Sequence, residues 1–189
     1  MKDSKDEPNI RDQIEEIYEF FSKNKVFSAM VPEVRSNISG AKEGAKMIED
    51  VMGIDGRITI VNGYPKACGE IKFGVSNHTA RLILTAKEFD PSVNFVMNLK
   101  YLPSLIETLQ KNAELTLFEF KRELQPRVVE RTENSTMQWL IKESINQTGS
   151  IPDIIWDKGA VGKEPMMRLF GKNSTEMIEK LTIISQTFL

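Results

Sequence analysis

The sequence predicts an α/β fold in which helices cover a sheet, and three observations carry that expectation. Apolar positions recur at helical spacing in five segments. Short β-branched or alternating runs lie between those segments, and Gly, Pro, Asn and Asp mark most of the boundaries. Strands therefore interleave with helices along the whole chain, the pattern of helices laid on a sheet. At 189 residues the chain is long enough to bury a sizeable core. No internal repeat, low-complexity segment or linker divides it, so residues 10–189 are expected to form one domain behind a polar, frayed segment 1–9.

The elements follow in order. Ile10, Ile14, Ile17, Tyr18 and Phe21 lie on one helical face, with Pro8 near the first turn, predicting a helix over 10–24. Residues 31–56 carry four glycines and few apolar runs, and read as loops around short elements. Arg57–Val61 is strand-like, Gly63-Tyr64-Pro65 a turn, and Ala67–Phe73 the return arm of a hairpin. Ser76 or Asn77 caps a helix through Ala80, Leu82, Ile83, Ala86 and Phe89, stopped at Asp90-Pro91. Val93–Leu99 reads as a strand, Pro103 opens a helix, and Leu115–Phe120 alternates as a strand. A helix runs from Ser135 to Gly149, short strands cover Asp153–Trp156 and Pro165–Phe170, and Asn173 with Glu176 opens the last helix.

Composition excludes several classes of function. Lys and Arg number 25 against 27 Asp and Glu, a formal charge of −2 with a pI near 5.6, where a nucleic-acid-binding domain is normally basic. The single helix before Met30-Val31-Pro32 is too little for a helix-turn-helix. One cysteine, Cys68, excludes an intrachain disulfide and suits a reducing compartment; its place in a strand predicts a small core residue. One histidine, His78, excludes any intrachain metal site built on two or three imidazoles. No apolar run approaches a membrane span and the start lacks a signal peptide, so a cytoplasmic location is expected. The nine methionines read as packing material.

Two segments carry candidate chemistry. In Phe73-Gly74-Val75-Ser76-Asn77-His78-Thr79-Ala80-Arg81 a strand runs through Gly into a polar helix start, which aims backbone N–H groups and the positive end of the helix dipole at an anion. The same stretch also fits a plain helix cap. In Gly159-Ala160-Val161-Gly162-Lys163-Glu164 a phosphate loop fails on two counts, Asp157 at the first Gly position and Glu164 after the lysine. A flexible cationic loop with Lys158, Lys163 and Arg168 and a plain surface turn both fit. Arg57 and Asp157 lie at strand ends beside loops, where α/β sheets place ligands. Asp153 and Asp157, if they shared one strand face, would form a Mg²⁺ site, though Asp153 after Pro152 fits a turn better.

Read together, these segments resemble the ThiN family, a thiamine-phosphate synthase domain often fused behind a hydroxymethylpyrimidine phosphate kinase. The matching stretches are Val31-Pro32-Glu33-Val34 with Ser36-Asn37-Ile38, Gly56-Arg57-Ile58, Phe73-Gly74-x-Ser76-x-His78-x-Ala80-Arg81, Met97-Asn98-Leu99-Lys100-Tyr101, Ser135-Thr136-Met137-Gln138-Trp139 and Pro152-Asp153 through Asp157-Lys158-Gly159 to Pro165-Met166. They run from about residue 10 to the C-terminus. Arg35 departs from the family's Gly, and Gln138 from its usual acidic residue.

The resemblance implies a three-layer α/β/α sandwich with a mixed sheet, similar to the class II aldolase-like fold. It implies condensation of hydroxymethylpyrimidine diphosphate with hydroxyethylthiazole phosphate to thiamine monophosphate and pyrophosphate. The family's functional Arg and His fall on Arg57 and His78. Asn37, Ser76, Asn77, Arg81, Asn98, Met137, Asp157, Lys163 and Arg168 are the expected substrate-binding residues, with Lys163 and Arg168 toward the thiazole phosphate. Mg²⁺ is expected on the diphosphate, and no organic cofactor. Expected partners are the phosphorylated substrates, a second copy in a homo-oligomer, and a fused or separate kinase, with no nucleic acid or membrane. The alternative is a non-catalytic thiamine-phosphate sensor. A zinc aldolase on the related fold is excluded in its usual form by the single His78.

Overall fold

The computed structural model describes residues 9–125 and 135–188. Of the expected frayed stretch 1–9, residues 1–8 lie outside these residues, while the Asn9 side chain accepts the Asp12 N–H at 3.0 Å and caps the first helix, α1 (Ile10–Lys23). Four further helices follow: α2 (Asn77–Phe89), α3 (Pro103–Asn112), α4 (Ser135–Thr148) and α5 (Ser174–Gln186). The strands are β1 (Ile38–Ala41), β2 (Val51–Ile54), β3 (Ile58–Val61), β4 (Tyr64–Ala67), β5 (Ile71–Phe73), β6 (Phe95–Lys100), β7 (Leu117–Glu119), β8 (Ile154–Asp157) and β9 (Met166–Gly171). All five expected helices are present.

Seven of the strands form one mixed sheet in the order β5-β2-β1-β6-β9-β8-β7. Every pair is antiparallel except β7 with β8. Alternation along the strands sends side chains to two separate cores. Phe95, Met97, Leu99, Ile154, Trp156, Met167 and Leu169 face α1, α3 and α5, meeting Ile14, Ile17, Phe21, Leu105, Leu109, Leu181 and Ile184. Val96, Ile155 and Phe170 face α2 and α4, meeting Ala80, Leu82, Ile83, Ala86, Leu140 and Ile141. Helices therefore cover both faces of a mixed sheet.

The hairpin is arranged differently from expectation. β3 pairs with β4, not with β5, as a separate two-stranded sheet whose loop is Asn62-Gly63. Both loop residues have positive φ (52° and 78°), the backbone that a two-residue hairpin loop requires and that Asn-Gly adopts most readily. Pro65 accordingly sits within β4 opposite Ile60, where an edge strand tolerates its missing N–H. The chain then bends at Cys68-Gly69, and β5 joins β2 in the main sheet. Cys68, expected in the core, is exposed at this bend. The stretch 31–56 holds two strands, β1 and β2, which sequence alone does not distinguish from loop.

Candidate active site

The alternation that gives Val96, Ile155 and Phe170 to the core places Asn98, Asp157 and Arg168 on the same face, nearer one end of the sheet. The first turns of α2 and α4 stand over this polar end, and a cavity of about 470 Å³ opens between them. That volume suits an organic ligand of ordinary size.

Gly74 (φ 73°) turns the chain from β5 toward α2, and Ser76 is the N-cap. Its hydroxyl bonds Thr79 Oγ1 at 2.6 Å, and Thr79 in turn bonds Ser39 Oγ on β1 at 2.7 Å. This relay fastens the helix start to the sheet and holds His78 at the cavity wall. Arg57 precedes β3 with φ 67°, a left-handed backbone uncommon outside glycine, and its Nη1 donates to the Val34 carbonyl at 2.7 Å. Partial burial first, then the guanidiniums of Arg57, Arg168 and Arg81, hold the His78 imidazole below its ordinary pKa. The shift favours the uncharged imidazole at neutral pH.

Asn37 and Asn98 line the cavity, but their amides are engaged. Asn37 pairs with both backbone groups of Ile54 (2.9 and 3.1 Å), and Asn98 bridges the Asn37 N–H and the Arg35 carbonyl (2.7 and 2.9 Å). They hold the loop that carries Val34.

The segment 159–165 is a tight turn closed by Ala160 and Lys163, whose backbones bond each other at 2.8 and 3.0 Å. Gly159 has φ 73°, and a Cβ there would strike the Lys163 carbonyl, so the turn requires glycine. The turn delivers Lys163 to the cavity and aims Glu164 away from its centre, at the Glu33 and Val34 N–H groups (2.9 and 3.1 Å).

Of the residues expected from sequence, Arg57, His78, Asn37, Ser76, Asn98, Met137, Lys163 and Arg168 line one cavity. Three do not. Asn77 is exposed on the first turn of α2. Arg81 lines a smaller hollow with Glu49, Glu88 and Gln138. Asp157 is fully buried and is not part of the wall. It accepts Arg122 Nε at 2.6 Å, Arg122 Nη2 at 3.2 Å, Arg168 Nη1 at 2.7 Å and the Gly159 N–H at 2.8 Å. Burial pushes its carboxyl pKa up, but the guanidiniums of Arg168 and Arg122 outweigh this and hold it below the ordinary value.

Arg122, which follows β7, is the lining cation that sequence reasoning missed. Val34, Thr79, Leu82, Thr136, Gly162, Glu164 and Met166 complete the wall. Met137 and Met166 stand at the ligand space, whereas Met30, Met97, Met167 and Met177 are buried core as expected.

A Mg²⁺ site on Asp153 and Asp157 does not form. Four residues of strand separate them by about 13 Å. Asp153 is engaged by Thr116 (2.8 Å) and Lys180 (2.6 Å). Among the described residues no group of three or more His, Cys, Asp or Glu side chains could hold a metal. Glu164, the one carboxylate lining the cavity among them, is bonded to backbone N–H groups. The described side chains therefore do not fit a protein-held metal ion.

No helix among the described residues is long and apolar enough to cross a membrane. Comparison with known proteins then places the chain. The C-terminal domain of a phosphomethylpyrimidine kinase superposes with a TM-score of 0.84 at 32% identity, covering 93% of this chain and 97% of that one. The C-terminal domain of protein MJ0236 gives 0.84 at 33%, covering 95% and 94%. Thiamine-phosphate synthase ThiN of Methanothermobacter thermautotrophicus is 35% identical over 161 residues, 85% of this chain and 84% of its own length. The bifunctional thiamine biosynthesis protein ThiDN of Methanocaldococcus jannaschii is 35% identical over 173 residues, which are 90% of this chain but only 40% of that protein. The family model for thiamine-phosphate synthase ThiN matches residues 13–182, and the chain belongs to the ThiN family.

Proposed function

We infer that this chain is a thiamine-phosphate synthase of thiamine biosynthesis, joining hydroxymethylpyrimidine diphosphate to hydroxyethylthiazole phosphate with release of pyrophosphate. The observation that carries the reading is one cavity lined by Arg57, His78, Arg122, Lys163 and Arg168, with apolar walls from Val34, Leu82, Met137 and Met166. Cations suit two phosphorylated substrates, and the apolar side chains suit their heterocycles.

In this reaction the methylene C–O bond breaks, its electron pair leaves with pyrophosphate, and the thiazole nitrogen supplies the pair for the new C–N bond. The electron-rich pyrimidine supports the cation that develops between these events. The protein's task is then to hold the two substrates in line and to stabilise charge on the leaving group. Arg57 meets the diphosphate oxygens with its planar fork. His78 enters as a neutral imidazole; the arriving anion raises its proton affinity, so that it takes up a proton from solvent and, as imidazolium, gives it to the departing diphosphate, returning to the neutral form. Ser76 and the α2 start complete the cradle. Lys163 and Arg168 face the thiazole phosphate. Mg²⁺ carried in by the diphosphate would be held by substrate and water and would supply further neutralisation of its charge.

The same reading includes a homo-oligomer, a cytoplasmic location, a fused or separate hydroxymethylpyrimidine phosphate kinase as partner, and kinship of the sheet with class II aldolases. The test is turnover. Purified protein with both phosphorylated halves and Mg²⁺ is expected to form thiamine monophosphate and pyrophosphate in equal amounts. Tight binding of thiamine monophosphate without any turnover would instead establish the sensor.

A further inference from the structure

We propose that Arg122, positioned by Asp157, is a substrate-binding residue that forms with Arg168 an anion subsite on the β7–β9 side of the cavity, which takes the monophosphate of the thiazole substrate. The proposal rests on the synthase reading and assigns one of its two phosphates.

The geometry runs across the sheet. Arg168 lies on β9 and Asp157 on the neighbouring β8, while Arg122 follows β7, the edge strand beyond. Arg57 belongs to the opposite side, where the backbone of Ile58 bridges Ser36 just before β1. Strands lie about 4.8 Å apart, so the backbones of β1 and β9, two intervals distant, lie about 10 Å apart across the sheet. The cavity wall thus receives Arg122 and Arg168 from the β7–β9 side of the sheet and Arg57 from the β1 side.

Asp157 makes the pairing of Arg122 with Arg168 possible. Two guanidiniums brought together out of water repel each other, and each is costly to desolvate without a counter-charge. The Asp157 carboxylate is fully buried, while Arg122 and Arg168 have side chains only 11% and 6% exposed. The carboxylate takes two nitrogens of Arg122, one of Arg168 and the Gly159 N–H, which exhausts its accepting capacity. Arg122 also lies 5.6 Å over the Phe120 ring, so its plane is fixed from a second direction. One carboxylate against two guanidiniums leaves the cluster with a net positive charge at the cavity wall. Each guanidinium keeps N–H donors that Asp157 does not use. The arrangement is built in advance for an anion and requires no rearrangement to receive one.

The test is Arg122→Gln with Arg122→Lys beside it, since removing Asp157 itself would strand two buried charges and risk the fold. Steady-state KM is measured separately for each substrate, and binding of inorganic phosphate and of pyrophosphate is measured by calorimetry without turnover. Arg122→Gln is expected to raise the KM for the thiazole phosphate about ten- to a hundred-fold, the range for a lost charged hydrogen bond. The KM for the pyrimidine diphosphate should move by less than about two-fold against that, and Arg122→Lys should recover part of the loss. Circular dichroism is expected to show an unchanged fold. A rise in the diphosphate KM instead, or unchanged values for both substrates, overturns the assignment while leaving the synthase reading intact. If wild-type protein makes no product, loss of phosphate binding in Arg122→Gln with pyrophosphate binding retained still supports the subsite, and retention of both anions overturns it.

Discussion

The carboxylate of Glu164 receives the backbone N–H of Val34 at 3.1 Å, across 130 residues of sequence, and so joins the turn that presents Lys163 to the loop that holds Arg57. Glu33 N–H meets its other oxygen at 2.9 Å. Val34 passes the constraint on, because its carbonyl accepts Arg57 Nη1 at 2.7 Å. Glu164→Ala is expected to lower kcat/KM about ten-fold by releasing Arg57 from its aim, with a loss of stability near 1 kcal/mol for the exposed hydrogen bonds. Glu164→Gln keeps one acceptor oxygen and should fall between Ala and wild type. Kinetics and thermal melts of the two variants check this; equal kcat/KM for all three proteins would disconnect the two loops.

Arg57 combines a functional side chain with a left-handed backbone, φ 67°. That conformation costs a non-glycine residue about 1–2 kcal/mol, which is sustained here by the surrounding loop. Arg57→Ala and Arg57→Gly are both expected to lose most of the activity, because neither supplies a guanidinium. They should differ in stability, with Arg57→Gly about 1 kcal/mol above Arg57→Ala, read as a shift of the urea midpoint at constant slope. A glycine variant less stable than the alanine variant would mean the backbone is relaxed at this position.

The helices were legible because their signals are local: the apolar spacing of Ile10 to Phe21, the Asn173 cap, Pro103 at a helix start. The His78 helix start was legible for the same reason. β1 and β2 were not, since each is four residues, buried on both faces, and therefore without alternation. Gly40 in β1 reads as a loop residue, yet a Cβ there would meet Phe95 Cε1 at 2.7 Å and Ile10 Cγ2 at 2.8 Å, so close packing selects it. Asn62-Gly63 was a stronger hairpin signal than the Gly63-Tyr64-Pro65 turn and placed the return strand three residues earlier. Arg122 carries no local mark at all. Its function is conferred by Asp157, 35 residues on, through a pairing that exists only once β7 and β8 lie side by side.

Arg35 stands where the resemblance in sequence implies glycine, and its φ of 70° is a backbone that glycine adopts at less cost. The side chain offsets part of the strain by donating to the Gly56 carbonyl at 3.1 Å and approaching Cys68 Sγ at 3.6 Å. Both contacts are exposed and contribute little. Arg35→Gly is therefore expected to raise stability by up to about 1 kcal/mol, with kcat/KM unchanged within about two-fold. Chemical denaturation measures the first and steady-state kinetics the second. A drop in stability would show that the Arg35 contacts outweigh the backbone term.

His78 gives the clearest dependence on pH. Partial burial and the guanidiniums of Arg57, Arg168 and Arg81 lower its pKa below the ordinary 6.5, so the unfolded chain binds its proton more readily than the folded one. The sign follows: this contribution to stability is whole above pH 6.5 and is lost as pH falls through the window between 6.5 and the depressed folded value. An anion in the cavity reverses the electrostatics, because its negative charge offsets the same guanidiniums. In NMR titration the free protein should show a His78 midpoint below 6.5, and saturating pyrophosphate should move it upward. Arg57→Ala should also raise the midpoint of the free protein and shrink the further rise on pyrophosphate binding. A midpoint that pyrophosphate leaves in place would separate His78 from the leaving group and remove it from the proton transfer.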